Sequence, residues 1–137
     1  MSYPKNKLYR IPVGFEDAAG ELHMMDRVLV DTGASKCMVP TQINRRLLHL
    51  TIEGRDCGVT TGGGAMDYSW VVVPRIVLCR REEVARLGPF VAYVPKPTDL
   101  FETDIKTWLG DCFVVGMNFI ERFKVLLEKD GHITFER

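Results

Sequence analysis

Apolar and polar positions divide this chain into many short segments, most with the alternation or the brief apolar run of a β-strand. Residues 8–15 and 22–30 read as two strands joined by the turn-like Glu16-Asp17-Ala18-Ala19-Gly20, and 36–39 as a short strand. Residues 40–50 suit a short helix, with Ile43 and Leu47 on one face. Residues 59–61 and 66–73 flank Gly62-Gly63-Gly64 as a hairpin with a glycine tip. Segments 76–78 and 90–94 are further strands, 80–86 a charged solvated bend, and 95–110 a long loop. Phe113-Val114-Val115 reads as a strand ending at Gly116, and 117–123 as a short helix carrying Phe119 and Phe123. Residues 124–127 and 133–135 flank Asp130-Gly131, a strong hairpin signal. Strands do not alternate regularly with helices, so a small closed or nearly closed β-domain is expected rather than an α/β sheet.

With 137 residues the chain has room for one domain and its core, not for two ordinary ones. Hydrophobic residues make up 46% and charged residues 26%, a globular balance. Lys plus Arg and Asp plus Glu each number 18, so no global charge recruits nucleic acid or an anionic membrane. No apolar run has membrane-spanning length. The first residues lack the apolar core of a signal peptide, which makes the cytoplasm the expected location. Cys37, Cys57, Cys79 and Cys112 form no Cys-x-x-Cys pair and lie far in sequence from His23, His49 and His132. That spacing argues against zinc, and the expected state is four reduced thiols.

The segment with the most chemistry is Val28-Leu29-Val30-Asp31-Thr32-Gly33-Ala34-Ser35. A carboxylate placed directly after an apolar strand is partly desolvated and needs donors close by. The turn that follows supplies a hydroxyl, backbone N–H groups and Gly33, free to take conformations closed to other residues.

This segment, the Thr60-Thr61-Gly62-Gly63-Gly64 hairpin and Val114-Val115-Gly116-Met117-Asn118-Phe119-Ile120 occur in an order that resembles the retropepsin-like aspartic peptidases. The likeness runs from about residue 22 to the C-terminus, closer to the cellular and bacterial relatives than to the minimal viral enzymes. It implies a small closed acid-protease-type β-barrel, a half-pepsin fold with one or two short helices, as a single domain over 1–137. It also implies hydrolysis of peptide bonds by water activated between two carboxyls that share a proton. The chain holds one Asp-Thr-Gly, so the second carboxyl is expected from a second copy in a two-fold homodimer.

By resemblance, Asp31 is the catalytic carboxylate, with Thr32, Gly33 and Ala34 supporting its loop. Thr61, Gly62, Gly63 and Gly64 form a flap over an extended peptide or protein substrate. Val114, Val115 and Gly116 pack against the Asp31 loop. No metal or cofactor is required, and no nucleic-acid or membrane partner is implied. In the viral enzymes the chain ends weave into a shared sheet, and 132–137 could pair in that way.

The alternative is a catalytically inactive dimeric module of the same fold that binds peptides, which would keep the strands and glycines but not require Asp31. Asp-Thr-Gly-Ala-Ser also resembles the first phosphate loop of the actin and sugar-kinase ATPases, whose two large halves do not fit this length. Trp70 and Trp108 are expected in the core or at its rim, and the pairs Arg45-Arg46 and Arg80-Arg81 on solvated faces.

Overall fold

The structure, a computed structural model, describes residues 1–4, 9–61, 64–95 and 113–137. The Gly62–Gly63 tip, Trp108, Cys112 and nearly all of the expected 95–110 loop lie outside the described residues.

Strand β2 (Arg10–Glu16) pairs antiparallel with β3 (Leu22–Val30) through a turn that ends at Gly20, whose φ of 88° suits glycine. Alternation sends Ile11, Val13 and Phe15 of β2 into the core, and a register shift in the ladder lets Met25 and Val28 of β3, three residues apart, face it as well. Strand β4 (Cys37–Met38) leads into a short helix, α1 (Thr41–Ile43), continued by a π-type turn over Asn44–Leu48. The buried Asn44 side chain closes that turn: its amide donates to Leu50 O at 3.0 Å, and its Oδ1 accepts from Leu50 N at 2.9 Å.

The long hairpin of β5 (Gly54–Thr61) and β6 (Gly64–Val73) follows, with Thr61 opposite Gly64. Next come β7 (Ile76–Arg80), β8 (Glu83–Leu87) and β9 (Phe90–Pro95). The expected solvated bend at 80–86 is therefore a hairpin, turning only at Arg81 and Glu82. Its charged residues face outward while Ala85, opposite Leu78, is buried, so an edge strand hides behind a charged pattern. Arg80 also departs from expectation: it donates to Ser2 O at 3.0 Å and lies over the Tyr3 ring at 5.8 Å.

Strand β10 (Val114–Val115) is threaded between the two strands that flank Asp31. It runs parallel to β3, with Val114 opposite Leu29 and Val115 opposite Val30, and antiparallel to β4, with Val114 opposite Met38. Strand β4 in turn lies parallel to β9. The nine-stranded sheet therefore has the order β5-β6-β9-β4-β10-β3-β2-β7-β8. After β10 comes α2 (Met117–Ile120), then β11 (Lys124–Leu127) and β12 (Ile133–Glu136), the hairpin expected around Asp130-Gly131.

A second sheet joins β11 and β12 to β1 (Ser2–Tyr3) in the order β1-β12-β11. Strand β1 was not legible as a strand, because two residues show no period. The end strand β12 is flanked on both sides within one chain, so it offers no open edge for the shared sheet considered at 132–137. A row of aromatic contacts ties the two sheets together. Ring centroids lie 5.4 Å apart for Phe90–Phe119, 5.3 Å for Phe119–Phe123, 5.5 Å for Phe123–Phe135 and 6.0 Å for Tyr3–Phe135. Among the described residues the fold is mostly β with two short α-helices, in line with the one or two expected. No helix among the described residues is long and apolar enough to cross a membrane.

Candidate active site

Asp31 leaves β3 where β10 ends beside it, and its backbone N–H donates to Val115 O at 3.1 Å. The loop then turns back, with Ala34 N donating to Asp31 O at 3.2 Å. This geometry turns the carboxylate toward the chain that follows, and Gly33 N donates to Asp31 Oδ1 at 2.8 Å. Asp31 and Ala34 are half-buried, whereas Thr32, Gly33 and Ser35 are exposed. The carboxylate thus sits at the surface of a loop fixed from below.

Gly33 is needed for a different reason from the one expected. Its φ is not in the left-handed region, but a Cβ there would stand 3.1 Å from Asp31 Oδ1 and crowd the carboxylate. Gly116 is required by close approach as well, since an added Cβ would come within 2.7 Å of Ala34 O and closer still to Lys36 O. Without a side chain there, α2 can dock its first N–H groups on the loop: Met117 N donates to Ala34 O at 2.7 Å and Asn118 N to Ser35 O at 3.1 Å. These bonds satisfy donors that a helix start leaves open.

Asn118 stood in the recognised segment without an assigned role, and the structure gives it one. Its Oδ1 accepts from Cys37 N at 3.0 Å and from Cys37 Sγ at 3.3 Å, and its Nδ2 donates to Val91 O at 2.8 Å. One side chain therefore ties α2 to β4 and β9. A polar residue two positions after a glycine that ends an apolar strand is the signal that could have marked it. Burial pushes the Cys37 thiol up to about 11, so it stays a neutral donor at physiological pH.

The base of the β5–β6 hairpin is braced by aromatics. Tyr68 and Tyr93 stack at 5.3 Å with their planes 22° apart, and the Tyr93 hydroxyl donates to Asp56 Oδ2 at 3.1 Å. Burial, reinforced by that bond, keeps the Tyr93 phenol above its ordinary pKa. Half-buried Trp70 lies over Gly54, where a Cβ would meet the indole at 2.8 Å.

The structure thus brings together Asp31, Thr32, Gly33 and Ala34 with Val114, Val115 and Gly116. Thr61 and Gly64 belong to the hairpin, whose Gly62–Gly63 tip falls outside the described residues.

No protein-family model and no curated protein matches the sequence. Solved structures do match the fold. A retropepsin-like aspartic protease from Rickettsia conorii is similar over 98% of this chain and 87% of its own, with TM-score 0.57 and 14% identity. The EIAV protease, solved in complex with the inhibitor HBY-793, is similar over 88% of this chain and 91% of its own, with TM-score 0.50 and 13% identity. With β10 threaded between the strands around Asp31, and with these structures as neighbours, the chain has the retropepsin-like fold.

Proposed function

We propose that this protein is an aspartic endopeptidase, a single domain over 1–137 that is active as a homodimer. The observation that carries the reading is the half-buried Asp31 carboxylate, oriented by Gly33 N at 2.8 Å on a loop that β10 and α2 clamp. One carboxylate cannot both take a proton from water and give one to the peptide carbonyl. Its symmetry mate supplies the second group, and two carboxyls at hydrogen-bond distance hold one proton between them. The ionised member then takes a proton from the attacking water while the protonated member donates to the carbonyl oxygen. The tetrahedral intermediate collapses as a proton passes to the leaving nitrogen.

Thr32 meets its twin beside that pair, a role its exposure permits. Thr61, Gly62, Gly63 and Gly64 act as the flap that covers an extended peptide and excludes water. Val114, Val115 and Gly116 hold the loop, and no metal or cofactor takes part. Asp31→Asn tests the reading: it keeps the shape of the side chain and should lower peptide cleavage by purified protein at least about a thousandfold. Cleavage at an unchanged rate would refute the peptidase assignment.

A further inference from the structure

Two concavities border the segment that follows Asp31, and they share no lining residue. One, at Thr32, is apolar, with Val30, Ile120, Val125 and Leu127 in its walls. The other is charged. It holds about 250 Å³ and is lined by Lys36, Phe90, Val91, Asn118, Glu121 and Arg122 among others. Its walls are the parts that clamp the loop. Lys36 comes just after Ser35, Phe90 and Val91 begin β9, Asn118 lies on α2, and Glu121 and Arg122 form the turn after it. These walls are bonded to one another, since Asn118 Nδ2 donates to Val91 O at 2.8 Å and Asn118 N to Ser35 O at 3.1 Å. That leaves three charged side chains to meet a ligand. Arg122 lies over the Phe90 ring at 5.7 Å, which steadies the guanidinium without consuming its N–H donors. Lys36 is half-buried. Among the described residues neither cation has an ion-pair partner, and Glu121 pairs with neither. A partly desolvated cation is stabilised by a counter-ion, and this pocket has space for one from outside.

We propose that this pocket takes one acidic side chain, glutamate or aspartate, of a peptide bound across Asp31. The inference rests on the peptidase reading and narrows its substrate class. Charge complementarity supports it. Lys36 and Arg122 against Glu121 leave the lining with a surplus of one positive charge, which matches a single carboxylate and disfavours a phosphate dianion. The Arg122 guanidinium offers paired N–H donors to the two carboxylate oxygens, and Lys36 adds a compact charge. Reach supports it as well. Lys36 follows Asp31 by five residues, which span at most about 18 Å when extended. The loop is shorter than that, because Ala34 N folds back to Asp31 O at 3.2 Å. An extended peptide lying over the carboxylate covers the same distance in about five residues. The acidic residue therefore falls within about five positions of the bond that is cleaved.

A library of random decapeptides tests the pocket in two ways. The parent chain cleaves the library, and the Asp31→Asn chain enriches it by binding alone. Each assay is repeated with Lys36→Gln and Arg122→Gln combined. The expected result is a preference of about tenfold for Glu and Asp over Gln and Asn at one position near the cut, and the same preference in the bound pool. The double substitution should erase it in both assays. Cleavage without an acidic preference, or with one that the double substitution leaves intact, would overturn the pocket and leave the peptidase reading standing. Acidic enrichment by the Asp31→Asn chain, with no cleavage by the parent, would uphold the pocket and refute the peptidase reading. Neither cleavage nor acidic enrichment would overturn both. Should the double variant lose its fold, Arg122→Glu carries the test, because that side chain is exposed. It should move the preference from acidic to basic residues, and an unchanged acidic preference would contradict the assignment.

Discussion

Two residues that carry no reacting group hold the Asp31 loop in place. Gly116 lets two backbone segments touch, and its replacement by Ala would force a Cβ to within 2.7 Å of Ala34 O. The strain cannot relax into a flexible side chain, because the neighbours are main-chain carbonyls of the Asp31 loop and Lys36. We expect Gly116→Ala to cost about 2–3 kcal/mol of stability in urea unfolding. Peptide cleavage should fall further than the folded fraction, because the clash lies in the loop that aims the carboxylate. Asn118 acts by hydrogen bonding instead. Asn118→Ala strands Cys37 N–H and Val91 C=O, and should cost about 2–3 kcal/mol by the same measurement. A loss under about 0.5 kcal/mol would mean that water replaces the side chain at no cost.

Individual elements differ in how openly the sequence announces them. Strands β2 and β3 and the β11–β12 hairpin are legible because apolar segments flank the Gly20 or Asp130-Gly131 turns, and β6 because it follows the glycine run at 62–64. Strand β8 is not legible, because an edge strand buries one side chain, Ala85, and otherwise carries charge. The two-residue strand β1 is set by tertiary pairing and leaves no local pattern, whereas β4 falls within the short strand expected at 36–39. At the site, Asp31 as a desolvated carboxylate could be read from residue types, and the Val114-Val115-Gly116 clamp from the resemblance. The three bonds of Asn118 could not, because they join segments 81 and 27 residues apart.

The β2–β3 turn also carries a pH signature. A hydrogen bond from His23 holds the Asp17 carboxyl below its ordinary pKa, outweighing burial, with backbone N–H bonds from Glu21 and Ala19 acting the same way. Asp17 Oδ2 lies 2.8 Å from His23 Nε2, and Oδ1 accepts from Ala19 N and Glu21 N at 2.8 Å each. A lowered folded-state pKa adds stability that is complete above the unfolded value, near about 4, and is lost as pH falls through the folded value. Asp17→Asn should therefore be less stable than the parent at neutral pH, with the gap in Tm closing as pH falls below about 4. A gap that widened in acid would reverse the sign of this linkage.

At the scale of the whole molecule, the fold sets the Asp31 loop beside the terminal sheet, with Thr32 lining one groove together with Val125 and Leu127. The aromatic row from Phe90 through Phe119 and Phe123 to Phe135 couples the site's clamping helix to the terminal sheet. The formal net charge of zero removes long-range repulsion between two copies. The active unit under this account is larger than the chain, and half of the catalytic apparatus is a property of association.

The most direct test of that claim is a crystal structure of the protein with a statine-type transition-state mimic, read for the separation of the two Asp31 carboxyl groups. The account predicts a two-fold axis between them and a carboxyl-to-carboxyl approach of about 3 Å, with the mimic's hydroxyl bridging the pair. Asp31 side chains far from any two-fold axis, with the mimic bound elsewhere or not at all, would contradict it.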